Sequence, residues 1–459
     1  MTTTEQVRPA EQTPDQPSWG ALGVLLVGIF ITTLDFFIVN VAIPSVQADL
    51  RAGPAAIQFV VAGFGLAFAA SLITGGRLGD LYGRRRMYQV GLALFTIASA
   101  ACGLAPNPGV LIAARVAQGL GAALMSPQVL AILNLVYTGR HRTTAFTAFG
   151  VAMGFGGVFG QLIGGLLIHA DVAGLGWRTI FLINVPVGLL ALVLVRRMVP
   201  ESRAGRSRLD LVGTLLVTLG LVAVVLPLVE GQQQGWPLWT WLCLGAALPL
   251  LTGFVAYQRR ATSPLVDLAM FRERAYAVGV LIALVYALTT ASFFLVLALF
   301  LQQGHGLSAL SSGLIFLPLG IGYFVSSTRS GRVAARLGRQ VLAAGGLTVA
   351  AGYLLLAAAA DSHVGWLIPG LVVTGAGIGL VMGPLPAIAM SKVDAQRAAA
   401  GSGVLNAAQQ AGGAIGVAVI GVVFYQALGT FAGAFALSEV VLAGIAIAVA
   451  GLVQLLPKR

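Results

Sequence analysis

Long apolar runs separated by short polar breaks make up the chain, and within each run apolar residues are continuous rather than alternating. From Trp19 onward the runs fall near residues 19–44, 55–76, 87–104, 109–136, 143–169 and 178–195, then near 209–229 and 238–257. Six more lie near 275–302, 308–328, 340–359, 365–390, 400–426 and 435–456. About 20 helical residues cross a hydrocarbon core of ~30 Å, so the pattern predicts fourteen spanning helices. A helix satisfies its backbone polar groups within its own segment, as a bilayer interior demands, and the two-residue alternation of a membrane barrel is absent. The expected fold is an all-α polytopic membrane protein, two six-helix bundles with an inserted helix pair. The expected boundaries are a tail at 1–18, an N-terminal bundle at 19–200, the inserted transmembrane pair at 201–262, and a C-terminal bundle with a short tail at 263–459.

Composition narrows the class. With 58% hydrophobic and only 9% charged residues, against roughly 25% charged in a soluble domain, a water-soluble fold is excluded. A net charge of +12 could mark a polyanionic partner, but the placement of the bases argues otherwise. Arg84 to Arg86, Arg140 and Arg142, Arg196 to Arg208, Arg259 to Arg274, Arg329 to Arg339, and Lys392 with Arg397 occupy every second connection. That is the positive-inside pattern, so no nucleic-acid partner is expected. The opposite connections hold little beyond Arg51 and Arg178, and Trp177, Trp236, Trp239, Trp241 and Trp366 gather there as an aromatic belt. An even number of spans places both termini in the cytoplasm. Lysine occurs only at 392 and 458, a bias that hints at a GC-rich bacterial genome and hence at a bacterial inner membrane.

The first 18 residues are polar, and the run that follows is too long for a signal-peptide core. Cys102 and Cys243 lie in apolar runs without metal-ligand spacing and read as small buried hydrophobes. The histidines at 141, 169, 305 and 363 lie at or near loops, never grouped as metal ligands, and no metal or cofactor is expected. Glu230 and Glu439 read as rim residues near the outer ends of their spans.

A short internal repeat is visible. The stretch from Gly76 to Arg84 (GRLGDLYGR) is echoed by Gly331 to Arg339 (GRVAARLGR), each after the second span of a six-span set. Duplicated halves imply a transporter whose substrate site lies near the midplane between them.

The first copy resembles the cytoplasmic loop signature of the major facilitator superfamily through Gly76, Leu78, Asp80, Gly83, Arg84 and Arg85. Its glycines permit a tight turn, and its carboxylate can attract a neighbouring helix N-terminus. The resemblance implies a clasp that favours cytoplasmic closure; the plainer alternative is a basic turn serving topology alone.

Four further stretches are similar to the fourteen-span drug:proton antiporter branch of that superfamily. In the first span, Leu34 to Pro44 (LDFFIVNVAIP) matches a branch pattern in which Phe37 replaces a threonine and Asn40 is retained. Arg115, Gln118, Gly119 and Ala122 match the buried-arginine signature of span four, and their spacing places them on one helix face. Gly156, Gly160, Gly164 and Gly165 resemble the antiporter motif of span five, in which stacked glycines let helices pack closely; Gln161 stands where a proline is customary. In span thirteen, Asn406 and Gly412–Gly413 fit the branch, with Gln409 in place of a common arginine.

Asp35 is the leading candidate for chemistry. A charge at the centre of a spanning helix costs about 2.5–3.5 kcal/mol even on insertion scales, so an intramembrane carboxylate marks function unless Arg115 merely pairs with it for packing. The expected roles are proton and substrate coupling for Asp35 and Arg115, and a substrate cavity of Phe37, Asn40, Gln118, Gln161, Asn406 and Gln409. Gly76, Asp80, Gly83, Arg84 and Arg85 form the expected cytoplasmic gate, and Gly156, Gly160, Gly164 and Gly165 the packing stripe.

The expected activity is proton-coupled export of drugs, antibiotics, dyes or secondary metabolites by a monomer. Its partners are the bilayer, protons and a small lipophilic or cationic substrate. An uptake symporter of the same fold and a non-transporting sensor are the alternatives. A primary pump lacks its phosphate-binding loop, and an enzyme lacks a convergent set of reacting groups.

Overall fold

In the computed structural model the apolar runs fold as helices. It describes residues 19–457 except 138, 203–209, 232–233, 263, 394–397 and 428. The N-terminal tail, Arg203, Arg206, Arg208, Arg397 and Lys458 therefore lie outside the described residues. The first half comprises α1 (Trp19–Leu50), α2 (Pro54–Tyr82), α3 (Arg84–Gly103), α4 (Pro108–Val136), α5 (Gly139–Ala170), α6 (Thr179–Leu182) and α7 (Asn184–Met198). The inserted pair is α8 (Leu211–Glu230) and α9 (Leu238–Gln258). The second half comprises α10 (Arg274–Leu299), α11 (Ala309–Ile315), α12 (Leu317–Leu337), α13 (Gln340–Ala358), α14 (Leu367–Met382), α15 (Pro384–Ala389), α16 (Ala398–Gln426) and α17 (Phe431–Val453).

Among the described residues twelve segments are long and apolar enough to cross a membrane, and α5 raises the number to thirteen if its bent halves count as one span. The chain is thus a multi-pass membrane protein, but the expected fourteen spans are not reached. Two helices explain the difference. α3 opens on Arg84, Arg85 and Arg86, which lowers its apolar character, and α5 bends by 46° between Ala148–Gly157 and Phe159–Ala170. The bend occurs although Gln161 replaces the customary proline. Gly154, Gly156, Gly157 and Gly160 crowd the break, and glycine-rich positions are a known cause of kinks.

The two halves repeat one packing scheme. In the first, α1 lies on α5, α2 and α3 both lie on α4, and α3 meets α7. In the second, α10 lies on α16, α12 and α13 both lie on α14, and α13 meets α17. The echoed motif occupies matching places: Gly83 ends α2 at φ +107° and Gly338 ends α12 at φ +56°. Each donates its N–H to the carbonyl four residues back, at 2.9 and 2.8 Å. A side chain resists that left-handed backbone region, so glycine belongs at both turns.

Between the halves, α2 packs on α16 and α5 on α11. The inserted pair leans on this seam, α8 touching both α2 and α16, with Thr74 and Thr214 hydroxyls 2.8 Å apart. One face of the bundle carries the α2–α3, α4–α5 and α12–α13 turns and is arginine-rich. At the opposite face the halves are joined: Gln302 donates to the Val41 carbonyl at 2.9 Å, and Gln303 to Gln47.

Candidate functional site

Asp35 lies halfway along α1, fully buried. Its Oδ1 accepts from Gln118 Nε2 at 3.0 Å and from Asn184 Nδ2 at 2.9 Å, while Oδ2 is ion-paired with Arg115. The helical spacing on α4 sets Arg115 and Gln118 side by side, and Arg115 Nη1 also donates to Gln118 Oε1 at 2.9 Å. Arg115 Nε holds the Val60 carbonyl of α2 at 2.9 Å. Ser99 of α3 accepts from Gln118 at 2.8 Å, and the Cys102 thiol donates to Gln118 at 3.3 Å. Five helices of the first half, α1, α2, α3, α4 and α7, thus contribute to one polar knot. Both carboxylate oxygens are occupied by donors.

The knot does not face the space between the halves. A cavity of about 240 Å³ occupies that space, lined from the middle of α1 and α10 and from the arginine-rich ends of α4, α5, α14 and α16. Phe36, Phe37, Phe64, Phe68, Phe294 and Tyr323 give it an aromatic wall, and none of its described lining residues is charged. Phe37 meets Phe294 across the halves, ring centroids 4.8 Å apart. Phe64 has two sides: one lines the cavity and the other covers the Arg115 guanidinium at 4.6 Å. This ring is the partition between the cavity and the ion pair.

Of the six expected cavity residues, Phe37, Asn406 and Gln409 line it. The other three are turned elsewhere. Gln118 belongs to the Asp35 knot, and Asn40 and Gln161 both donate to the Phe37 carbonyl, at 3.0 and 2.9 Å. Gln161 therefore stitches α5 to α1 where the customary proline has no N–H to offer. The glycine stripe explains how the helices come so close. A Cβ at Gly156 falls 3.0 Å from Leu34 N, and one at Gly164 falls 2.6 Å from the side chains of Ile38 and Val41. At Gly165 it falls 2.5 Å from the Ala309 carbonyl of α11 in the other half.

In the loop motif Asp80 pairs with Arg84 one turn away at 3.0 Å. The cap of α3 comes from Glu201 instead, whose carboxylate accepts Arg85 N–H at 3.1 Å and Arg86 N–H at 3.2 Å. Negative charge at a helix N-terminus is favourable, but a partner more than a hundred residues away leaves no local signal. Gly83 at its positive φ makes the turn, Gly76 rests on Pro127, and Arg85 also donates to the Val199 carbonyl.

Three further residues escaped the sequence reading. Asn184 and Ser99 complete the Asp35 knot, and each was one polar residue in an apolar run. Glu439, read as a rim residue, is fully buried, and neither of its carboxylate oxygens has a hydrogen-bond partner. Glu230 does lie at a helix end, where it accepts from Gln234 at 3.0 Å.

A family model described as the Major Facilitator Superfamily matches residues 25–417. The chain is 41% identical over 423 residues to the probable actinorhodin transporter of Streptomyces coelicolor, covering 90% of this chain and 73% of that one. It is 36% identical over 405 residues to the multidrug resistance protein Stp of Mycobacterium tuberculosis, covering 86% and 74%. Among solved structures, a peptide transporter POT in complex with sulfate superposes with TM-score 0.70 at 18% identity, covering 98% of both chains. That last likeness concerns the fold alone.

Proposed function

We propose that this chain, which belongs to the major facilitator superfamily, is an exporter of lipophilic drugs, antibiotics or secondary metabolites, driven by protons across a bacterial inner membrane. The names of its relatives support export of such compounds. The observation that carries the reading is the cavity: aromatic, without a charged described lining residue, and backed by a buried ion pair. Such a wall favours flat aromatic molecules, held by ring contacts and by the amides of Asn406, Gln409 and Gln410, over ionic nutrients. α3 and α5 are the remaining two spans of a fourteen-span topology, with the arginine-rich face and both termini in the cytoplasm and the molecule acting as a monomer. The cavity then lies open toward the cytoplasm, and the joined opposite face is the closed outer gate.

Asp35 and Arg115 couple the proton to the cycle. In the charged, paired state α1, α4 and α7 are tied together. A proton on Asp35 removes the charge that Arg115 compensates, and the freed guanidinium, pressed on Phe64, transmits the change to the cavity wall. Substrate and proton therefore influence one another through the partition, rather than competing for one carboxylate. Glu201, Asp80, Gly83 and Arg84 stiffen the cytoplasmic turn on which closure depends, and the glycine stripe lets α5 slide on α1 and α11.

Everted membrane vesicles test the reading. Ethidium and a neutral anthraquinone dye are supplied outside, and the pH gradient and potential are collapsed separately with nigericin and valinomycin. Accumulation of either probe that collapses with the proton gradient is the expected result. Exchange of one proton for one neutral molecule moves one charge, worth about 2.3 kcal/mol per 100 mV, so the neutral dye responds to both components. Movement of probe in the same direction as protons points to the uptake symporter instead.

A further inference from the structure

Among the described residues three acids are buried: Asp35, Asp210 and Glu439. Asp35 has its knot. Asp210 caps α8 through Gly213 N–H at 2.7 Å and accepts from Gln258 at 2.6 Å. Glu439 alone has neither a hydrogen bond nor a counter-ion. It sits eight residues inside α17, about 12 Å from the opposite face at 1.5 Å per residue. An ionised carboxylate without partners in such a place is strongly disfavoured.

The repeat shows why this position is special. α17 is the counterpart of α7, which brings Asn184 to Asp35. α13 is the counterpart of α3, which brings Ser99, and α10 is the counterpart of α1. In the second half these helices supply Glu439, Tyr353 and Tyr286, all fully buried. On α14, the counterpart of α4, the eighth residue is Thr374, as the eighth residue of α4 is Arg115. The second half therefore has an acid in a matching cluster and no cation to pair with it.

Tyrosines stand between Glu439 and the cavity wall. Tyr353 is in electrostatic reach of Glu439 on one side and of Tyr286 on the other, and Tyr286 is in reach of Tyr323 on the cavity wall. The hydroxyls of Tyr353 and Tyr286 are buried beside the Thr289 and Thr290 hydroxyls, and that of Thr374 is buried without a hydrogen-bond partner; a hydroxyl can turn to accept or donate. The other elements against α17 offer Tyr425 from α16 and His305, beyond the π turn at Phe300–Gly304. The His305 ring meets Phe300 edge-to-face, 4.7 Å away, and Phe300 stacks on Phe435 one turn from Glu439. Among the described residues, no acid or second base faces it.

We propose that Glu439 is a second proton-carrying site, serving the C-terminal half and exchanging its proton with the central cavity through the phenols of Tyr353 and Tyr286. The carboxyl gives one proton to Tyr353; each phenol passes on one proton as it takes one; the last enters the cavity and a carboxylate remains. The bare carboxylate is costly where it stands, so discharge is tied to the change that opens the opposite face and reloads it. The proposal rests on the reading of the chain as a proton-driven exporter. It adds that two protons move per cycle, so a monovalent cation is expelled electrogenically.

Two measurements on protein reconstituted in liposomes separate the two ideas. Infrared spectra at neutral pH are expected to show a protonated-carboxyl band in the wild type that persists in Asp35→Asn and disappears in Glu439→Gln. A band that survives in Glu439→Gln overturns the proposal whether or not any probe is transported. Ethidium movement in the wild type is expected to respond to membrane potential as well as to the pH gradient. In Glu439→Gln and in Tyr353→Phe it is expected to respond to the pH gradient alone. Ethidium transport that ignores the potential in the wild type and is unchanged in both variants removes the second proton and leaves the exporter intact. No gradient-driven movement of ethidium or of the neutral dye sinks the exporter, and the infrared band still decides where the proton sits.

Discussion

Among the described residues two acids are fully buried, one in each half of the fold, and their surroundings differ completely. Asp35 meets an arginine and two amides; Glu439 meets no donor at all. A charge on the first has compensating donors in place, and a charge on the second has none. Burial by itself therefore does not assign a role to an intramembrane carboxyl; the donors around it decide which protonation state a conformation favours. On the proposed mechanism, the half with a counter-cation takes up a proton and the half without one gives it up.

The largest effect expected is at the paired acid. Asp35→Asn removes the charge that Arg115 compensates, and gradient-driven export is expected to fall to the level of empty vesicles while passive exchange of a neutral dye persists. Full gradient-driven export by that variant would assign the pair to packing alone. Stability sharpens the contrast between the acids. Arg115→Met strands a buried carboxylate and is expected to cost about 3–5 kcal/mol, whereas Glu439→Gln breaks no hydrogen bond and is expected to change stability by less than ~1 kcal/mol. Reversible unfolding in mixed micelles measures both, and equal losses would mean that Glu439 has partners after all.

The partition is the next test. Phe64→Leu keeps an apolar wall but removes the ring over Arg115, an interaction worth about 0.5–2 kcal/mol. The apparent affinity for an aromatic probe is expected to weaken by up to about tenfold and the pH profile of export to shift with it. A weaker affinity at an unmoved profile would separate the cavity from the ion pair. The smallest effect belongs to the solvent-facing acids, which serve as controls for the buried ones. Glu201→Ala uncaps α3, a loss of about 0.5–2 kcal/mol by analogy with other caps, and should raise thiol labelling of a cysteine introduced at Met87. Asp80→Asn severs only a half-buried pair within one turn and should raise it less. The reverse order would return the clasp to Asp80.

Much of this is legible in the amino-acid sequence. A run of some twenty apolar residues has few stable options other than a spanning helix. The arginine spacing separates one face from the other, Gly76 to Arg84 and its echo mark the repeat, and Asp35 stands out because it is the only charged residue between Trp19 and Pro44. The family resemblance directed attention to Arg115 and Gln118, which do meet Asp35, and to Phe37, Asn406 and Gln409, which do line the cavity.

What the chain alone decided is which segments enter the bilayer and which side chains are too polar to be there without a reason, because both depend on local transfer free energies. Tertiary structure decided what those side chains meet. Ser99 and Asn184 reach Asp35 from separate helices, and Glu201 caps α3 across 115 residues of chain. Gln118 and Gln161 turn away from the cavity because better partners lie elsewhere, at Asp35 and at the Phe37 carbonyl. Two turns from a helix end, Glu439 could equally have faced a rim or a core; the packing of α17 on α13 put it in the core. Depth along a helix can be read from sequence, but direction around it depends on the neighbouring helices, and in a bilayer they alone replace the water that a charge has lost.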